Sequence, residues 1–380
     1  MTKHDAIDDL CEHLSAEADE RIFHTGGQLY VSMSGVPIVD IAVGVDGVGQ
    51  HVQRNTLFAL YCAGKPVVAT AIGCLLDDGE LSLDDKVGDA VDRPLPDALT
   101  RLKIQDLLNH TAGLHLVNAR DYLICSERQR DSLIASSPQG SGWRTGLDVA
   151  YSEVAAWHVL GWVIETVSGE TTRAFLQRRV LDSLAVHDEL FVAGLDDQVY
   201  TARRDSLGVN VWLAGTTGDP LLIERTRRFR CTPSPALGTS GSARGLGRFY
   251  EGLQRIRGST GELHALGPAL SPVSKDTLAC LTLRASHGFD PVMGRACSYG
   301  YGFMTNLAEH CFGRRCSTYA FGHSGNGGMT AALCDPECDL VIAFHFNGRV
   351  DAESAVMYRR PALIDKIYSA VIGDDKALGR

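Results

Sequence analysis

The sequence lacks any apolar run of the roughly 20 residues that a bilayer-spanning helix needs, so we expect no membrane insertion. Residues 1–10 contain no basic start followed by an apolar stretch, and we therefore expect no export signal and a cytoplasmic protein. Basic residues are in deficit: the formal net charge of −10 argues against a general nucleic-acid-binding protein. With 380 residues, 44% of them hydrophobic, the chain can instead bury the core of a large soluble enzyme.

Cysteine is not scarce, but its count of eleven is odd and does not fit a fully paired disulfide framework. Without an export signal, this count favours free thiols in a reducing compartment. Cys311, Cys316, Cys334 and Cys338 resemble a metal-binding set, but the last two straddle a predicted hairpin turn at residues 335–336. We therefore expect neither a metal ion nor another cofactor.

The hydrophobic pattern predicts sheet strands at both ends of the chain and helices between them. Strands are expected near residues 28–34, 37–43, 300–306, 317–334 and 339–347. Helices are expected at residues 4–22, 155–167, 172–181, 242–253 and 352–372. We predict one catalytic domain, residues 1–380, with a sheet lobe (1–75 and 295–380) and a mainly helical lobe (76–294). Residues 183–236 and 256–296 show little regular pattern, and we expect them to shape substrate choice.

A cysteine lies three residues before a lysine, as Cys62 and Lys65, between an apolar run and a predicted helix. Positions i and i+3 share one helix face, so Lys65 would lie beside the Cys62 sulfur. Pro66 is tolerated only in a first helical turn, which puts Cys62 near a helix N-terminus, where a thiolate is favoured. By itself this pattern fits a packed, inert cysteine better, because cysteine is among the most buried residue types.

Five ordered blocks change that interpretation. They are residues 55–65 (N-T-L-F-A-L-Y-C-A-G-K), 79–87 (G-E-L-S-L-D-D-K-V), 102–114 (L-K-I-Q-D-L-L-N-H-T-A-G-L), 151–169 (beginning Y-S-E) and 322–328 (G-H-S-G-N-G-G). The chain thereby resembles the serine β-lactamase and penicillin-binding-protein superfamily, in its class C β-lactamase, esterase and acyltransferase branch, with cysteine replacing the serine of S-x-x-K. The resemblance implies a β-lactamase/transpeptidase-like α/β fold, an antiparallel sheet flanked by helices plus a mostly helical lobe.

The resemblance also implies roles for individual residues. Cys62 would be the nucleophile that forms an acyl thioester. Lys65 would hold a proton and orient Tyr151, and Tyr151 would act as general base and then general acid. The backbone N–H groups of Cys62 and Asn326 would form the oxyanion hole.

Two positions depart from the family pattern. Glu153 stands where the family commonly has Asn; it would pair with Lys65, accept a hydrogen bond from substrate, or lie solvated at a helix N-terminus. His323 replaces the lysine of K-T-G and would be neutral or charged near pH 7. Together with Ser324 and Gly325 of the same motif, Glu153 and His323 are expected to contact substrate. The changes make β-lactam recognition less expected.

A short basic cluster stands out in this acidic chain. It consists of Arg225, Arg227, Arg228 and Arg230. Most such runs are solvated faces. The alternative is a docking patch for an acidic acyl carrier protein or for the phosphates of coenzyme A.

Sulfur in the nucleophile position suggests which reaction to expect. An enzyme thioester lies near the energy of a carrier or coenzyme A thioester, and it favours amines and carbon nucleophiles over water more than an oxygen ester does. We therefore predict an acyltransferase that passes an acyl group from a thioester or ester donor, through acyl-Cys62, to a small-molecule acceptor in secondary metabolism. The alternatives are a cytoplasmic esterase or amidase of the same fold and a non-catalytic small-molecule-binding protein.

Overall fold

The computed structural model describes residues 3–213, 218–258, 271–351 and 354–373. The helices in these ranges are α1 (Lys3–Glu20), α2 (Lys65–Asp77), α3 (Val87–Ala90), α4 (Asp97–Thr100), α5 (Ile104–Leu108), α6 (Ala119–Ile124), α7 (Glu127–Ala135), α8 (Ala155–Ser168), α9 (Thr172–Leu176), α10 (Asp197–Arg203), α11 (Arg227–Cys231), α12 (Ala243–Arg257), α13 (Lys275–Thr282) and α14 (Arg360–Ile372). The strands are β1 (Gly26–Met33), β2 (Val36–Gly44), β3 (Phe58–Ala59), β4 (Leu190–Phe191), β5 (Val211–Trp212), β6 (Asp219–Pro220), β7 (Ser240–Gly241), β8 (Ser286–Asp290), β9 (Arg295–Tyr299), β10 (Met304–Thr305), β11 (Phe321–Gly325), β12 (Thr330–Asp335), β13 (Leu340–Phe346) and β14 (Gly348–Arg349).

A single antiparallel sheet joins the two ends of the chain, in the strand order β2-β1-β13-β12-β11-β10-β9-β8. Strand β1 pairs with β13, so that Leu29 lies opposite Phe344 and Val31 opposite Ile342. All seven residues of β13 are buried, as expected of a strand covered on both faces. Helices α1 and α14 pack against each other, and α12 packs on β1, β12 and β13. The predicted fold, an antiparallel sheet flanked by helices, is confirmed.

The main helices begin and end close to their predicted bounds, at residues that favour helix ends. Helix α2 has Pro66 in its first turn, where the missing N–H costs nothing. Helix α8 ends at a left-handed Gly169 (φ +71°), and α12 begins after Ser242, whose side chain accepts a hydrogen bond from the Gly245 N–H. Helix α2 is buried over residues 65–75, because it crosses the core between α8 and α13.

The structure differs from the predicted elements in five places. Of the strand predicted near residues 300–306, only Met304–Thr305 (β10) is a strand. The strand predicted at 317–334 is two strands, β11 and β12, because residues 326–328 have positive φ angles and turn the chain. Strand β8 pairs with β9, although residues up to 294 were assigned to the helical lobe. Residues 177–181 of the predicted helix at 172–181 form a π-helical turn. The last helix begins at Arg360 after a π-helical segment, while residues 352–353 of its predicted range lie outside the described residues.

Candidate active site

Cys62 lies in a sharp turn that leads into α2. The turn is a 3₁₀ turn, Tyr61–Gly64, and 7% of the Cys62 surface is exposed. Tyr61 adopts φ +50°, a left-handed conformation that is uncommon for a bulky residue. Gly64 leaves no room for a side chain, since a Cβ there would lie 2.1 Å from Thr239 Oγ1. Cys62 is therefore presented by a tightly held turn just before the helix.

Lys65 connects the cysteine to the tyrosine. Its side chain is fully buried, and its Nζ donates to Cys62 Sγ at 3.3 Å and to Tyr151 Oη at 2.5 Å. Burial lowers the pKa of Lys65, and the charges of Cys62 and Glu153 oppose that shift. A lysine with a lowered pKa loses its proton more readily, and the neutral amine can then act as a base.

Tyr151 is held by its backbone as well as by Lys65. Its N–H donates to Asp290 Oδ2 at 2.8 Å, and the N–H of the next residue, Ser152, donates to His110 Nδ1 at 3.0 Å. Burial raises the pKa of Tyr151 well above its ordinary value, so the phenol keeps its proton in the resting site. Sequence reasoning missed Asp290, because this buried aspartate lies in a segment without a regular pattern.

The third motif lies against the nucleophile turn. A Cβ at Gly325, the last residue of β11, would lie 2.3 Å from the carbonyl oxygen of Leu60 and 3.3 Å from the Cys62 nitrogen. Only glycine permits this approach, because any side chain would displace the turn. Asn326 follows with φ +51°, and its side-chain Nδ2 is buried without a hydrogen-bond partner among the described residues. The two residues predicted to form the oxyanion hole, Cys62 and Asn326, thus both border one cavity.

His323 is buried rather than presented to a substrate. It is 1% exposed, and its Nδ1 donates to the carbonyl of Ser324 at 2.7 Å. Burial, followed by the charge of Lys65, lowers the pKa of His323 well below its ordinary value. The imidazole is therefore neutral near pH 7, and it does not supply the positive charge of the lysine that it replaces.

Glu153 binds a helix start. Its Oε2 accepts a hydrogen bond from the N–H of Ala119 at 2.8 Å, where α6 begins. It makes no direct ion pair with Lys65 among the described contacts, which removes one of the predicted roles. The carboxylate borders the cavity, so contact with a substrate stays a prediction.

These residues surround a cavity of about 920 Å³. Of the predicted site residues, Cys62, Tyr151, Glu153, Ser324, Gly325 and Asn326 line it, whereas Lys65 and His323 are buried outside the lining. Much of the wall is apolar, including Leu123, Ile124, Trp212, Leu237, Val292 and Met304. A volume and a lining of this kind suit a small organic molecule.

Positive side chains outnumber negative ones in this cavity wall. Within the described residues the lining contains one carboxylate, that of Glu153, and four arginines, Arg120, Arg295, Arg349 and Arg360. Arg360 is 4% exposed and donates to the carbonyl of Cys311 at 3.0 Å, while Arg295 donates to the carbonyl of Met293 at 3.2 Å. Burial lowers the pKa of Arg360 to about 10, and the nearby charge of Arg295 adds to that shift.

The predicted basic docking patch is only partly a surface feature. Arg230 is 2% exposed and donates to the Glu224 carbonyl, the Ser240 hydroxyl and the Gly208 carbonyl, so it cannot contact a partner. Arg227 forms an ion pair with Asp197 at 2.6 Å. The prediction that Arg230 belongs to a docking surface is therefore wrong, because its guanidinium is used as a hydrogen-bond donor inside the protein. Docking through Arg225, Arg227 and Arg228 stays a prediction.

Disulfide bonds, metal-binding groups and membrane-spanning helices are absent from the described residues. None of the eleven cysteines, all of which lie in the described residues, forms a disulfide bond. In the part of the chain that the structure describes, no group of three or more His, Cys, Asp or Glu side chains is arranged to hold a metal ion. Across the same residues no helix is long and apolar enough to cross a bilayer.

A family model described as Beta-lactamase matches residues 14–366. The chain belongs to the β-lactamase family. It is similar to Esterase EstB of Burkholderia gladioli, with 28% identity in an alignment of 246 residues that covers 54% of this chain and 59% of the esterase. This member of the family thus matches somewhat more than half of that relative's length.

Several solved structures share the fold of this β-lactamase-family member over nearly the whole chain. A family VIII carboxylesterase superposes with a TM-score of 0.76 at 19% identity, covering 96% of this chain and 97% of that one. A penicillin-binding protein homologue from Caulobacter crescentus gives 0.75 at 20% identity, covering 97% of both chains. EstCE1, described as a hydrolase with promiscuous acyltransferase activity, gives 0.74 at 19% identity, covering 96% and 99%. At these identities the likeness establishes the fold.

Proposed function

We propose that this β-lactamase-family protein is an acyl hydrolase of the esterase type that works through an acyl-Cys62 thioester. One observation carries the proposal: the buried Lys65 Nζ contacts both Cys62 Sγ (3.3 Å) and Tyr151 Oη (2.5 Å) beside a substrate-sized cavity. A nucleophile within reach of a base, with a third group orienting that base, is the arrangement that covalent acyl transfer needs. The similarity to Esterase EstB supports the choice of ester substrates.

Acylation would begin with neutral Lys65. The lowered pKa of Lys65 and the raised pKa of Tyr151 favour lysine over tyrosinate as the group that accepts the Cys62 proton. The thiolate then attacks the ester carbonyl carbon, and the N–H groups of Cys62 and Asn326 bind the oxygen that becomes negative. When the intermediate collapses, the C–O bond breaks, and the alkoxide takes a proton from Tyr151 while the Lys65 ammonium returns one to the tyrosine.

Deacylation would reverse the roles of the same groups. Water attacks the thioester carbonyl and gives a proton, through Tyr151, to Lys65. The C–S bond then breaks, the acid leaves, and the Cys62 sulfur recovers its proton from the Lys65 ammonium. The scheme assigns Tyr151 as a proton relay, whereas the sequence predicted it as the first base.

The wall of the cavity suggests the substrate class. Two close arginines, Arg295 and Arg360, make no ion pair with a carboxylate among the described residues. Guanidinium groups in a largely apolar cavity are stabilised by an anion, because burial of unpaired like charges is unfavourable. We therefore expect esters with a bulky apolar portion and a carboxylate to be preferred over neutral esters of the same size.

Acyl transfer, the reaction first predicted from the sequence, is the second candidate. It is favoured by the sulfur nucleophile, since a thioester partitions toward amine acceptors more than an oxygen ester does. It is also in keeping with the description of EstCE1, a hydrolase with promiscuous acyltransferase activity. The esterase similarity supports hydrolysis better as the main reaction, and transfer would then be a competing fate of acyl-Cys62.

Intact-mass measurement tests the proposal. The protein is mixed with aryl esters and acyl thioesters, and Cys62→Ala and Cys62→Ser are treated in parallel. We expect an acyl adduct on the unmodified protein that water discharges, and no adduct on Cys62→Ala. Discharge that requires an added amine would favour transfer, and the absence of any adduct or product would leave only a binding protein.

A further inference from the structure

The residue before the nucleophile is tied to a buried carboxylate. Tyr61 holds its left-handed φ of +50° while its Oη donates to Glu224 Oε1 at 2.6 Å. Its ring also meets the edge of Phe229 at a centroid distance of 5.7 Å. The peptide group between Tyr61 and Cys62 carries the Cys62 N–H, so the backbone of Tyr61 sets the direction of that donor. A strained residue persists only where its surroundings hold it.

Glu224 is itself locked in place. It is fully buried in the short turn Leu222–Arg225, and its Oε2 accepts a hydrogen bond from the Asn210 N–H at 3.4 Å. The buried Arg230 donates to the Glu224 backbone carbonyl at 2.5 Å. Burial raises the pKa of Glu224, and the hydrogen bond from Tyr61 and the charge of Arg230 act in the opposite direction.

From Asn210 the contacts continue to the other side of the nucleophile turn. Asn210 Oδ1 accepts from His345 Nε2 at 2.9 Å, and His345 Nδ1 accepts from Thr330 Oγ1 at 2.8 Å. All three residues are fully buried. Burial lowers the pKa of His345 to about 3, so its ring is neutral with the proton on Nε2. Thr330 begins β12, directly after the turn that contains Asn326.

Tyr61, Glu224, Asn210, His345 and Thr330 thus form one buried polar chain. It begins next to Cys62 and ends four residues after Asn326, so it connects the two backbone segments expected to supply the oxyanion-hole donors. We infer that this buried polar chain aligns the oxyanion hole and that Glu224 is its central positioning residue. The inference rests on the proposed acyl-Cys62 chemistry, and it gives the segment at residues 183–236 a function in the site.

A sulfur-for-oxygen comparison of substrates tests this inference. Hydrogen-bond donors aimed at a carbonyl oxygen favour an ester over its thionoester, because sulfur is larger and a weaker acceptor. Tyr61→Phe and Glu224→Leu, which remove the bond between the side chains, should lower kcat roughly 10- to 100-fold with little change in KM. Both should also lower the ratio of ester to thionoester rates. Glu224→Gln, which still offers an oxygen to Tyr61, should recover most of the rate and of the ratio.

The controls separate positioning from general damage. Tyr200→Phe removes a hydroxyl that donates to the Arg225 carbonyl at 2.9 Å in the same region, and it should change neither the rate nor the ratio. If Tyr61→Phe and Glu224→Leu lower kcat while the ester-to-thionoester ratio stays at its wild-type value, the inference is overturned. If they acylate at the wild-type rate, it is overturned as well. Absence of acylation in the unmodified protein would instead overturn the proposed function, and this inference with it.

Discussion

Among the buried tyrosines that share a hydrogen bond with a titratable partner, Tyr151 and Tyr122 belong to clusters that differ in what surrounds them. Tyr151 Oη accepts from Lys65 Nζ at 2.5 Å beside the cavity that Cys62 borders. Tyr122 Oη contacts His158 Nδ1 at 2.8 Å, and His158 Nε2 contacts Asp131 Oδ1 at 2.8 Å. The second cluster resembles an acid–base relay in its order of groups.

The second cluster nevertheless lies outside the lining of that cavity. Tyr122, His158 and Asp131 are all absent from the lining, and Asp131 contacts His158 Nε2 at 2.8 Å and Arg93 Nη1 at 3.5 Å. The lysine of the first cluster instead has the Cys62 thiol, the proposed nucleophile, and a neutral phenol as its direct partners. Hydrogen-bond order alone therefore does not define a catalytic site. A buried lysine with a lowered pKa, beside a thiol and a substrate-sized cavity, is the stronger indication of such a site.

The largest expected effect comes from removing the proposed base of the first cluster. Lys65→Met should lower kcat/KM for an ester roughly 1000-fold, because among the described residues only Lys65 is hydrogen-bonded to both Cys62 and Tyr151. In the unmodified protein, activity should rise with pH as the Lys65 ammonium loses its proton, with a limb below the ordinary lysine pKa of 10.5. The exposed Lys86→Met is the matched control. A variant with Met at position 65 that keeps about a tenth of the activity would contradict the assignment.

The two tyrosines can be compared directly. Tyr151→Phe should lower kcat roughly 100-fold, because the alkoxide loses its proton donor. Tyr122→Phe should leave kcat unchanged while it lowers thermal stability, because it leaves His158 Nδ1 without its partner. Steady-state kinetics and melting curves of both variants measure the contrast. Equal losses of kcat would show that the second cluster also contributes to the reaction.

The cavity beside the first cluster can be tested through the charge of its wall. Arg295→Gln should lower kcat/KM for a carboxylate-bearing ester about 10-fold and leave a neutral ester of equal size within about 2-fold. The reason is that the guanidinium is expected to bind the substrate anion and to have no part in proton transfer. Rates for the two esters, measured side by side, test whether Arg295 binds the substrate carboxylate. Equal effects on both esters would count against an anion subsite.

The smallest expected effect concerns the ion pair of the second cluster. Asp131→Asn should leave kcat unchanged and lower Tm by about 1–3 °C, since Asp131 is partly exposed and solvent weakens the pair. The hydrogen bond from His158 lowers the pKa of Asp131 below its ordinary value of 3.8. Its stabilising contribution is therefore present above pH 3.8 and is lost as the pH falls through the lower folded-state value. A Tm difference that grows on acidification would contradict this sign.

Several parts of the fold and site were predictable because they depend on local pattern. Helices α2, α8 and α12 follow from apolar runs bounded by Pro66, Gly169 and Ser242. The contact between Cys62 and Lys65 follows from their spacing of three residues. The fold followed from ordered motifs, and the family match over residues 14–366 confirms it.

Other parts were not predictable, because they depend on contacts between distant segments. Asp290, which holds the Tyr151 backbone, and Glu224, which holds Tyr61, both lie in stretches without periodicity. Arg230 appeared to belong to a surface cluster, yet it is buried by the turns that it binds. No pattern within a few residues reports the burial of a single polar side chain, since that burial depends on which other segments pack over it.

The sequence by itself determined strands β1, β2 and β13, the core helices and the adjacency of Cys62 to Lys65, because hydrophobic period and helical spacing are short-range properties. Only the tertiary structure brought Tyr151, 86 residues away, within 2.5 Å of Lys65, and only burial at that junction altered their pKa values. The tertiary structure likewise decided that His323 is buried and neutral and that arginines line the cavity. Proton affinity and charge balance depend on the whole surroundings of a group, and those surroundings exist only once the chain is folded.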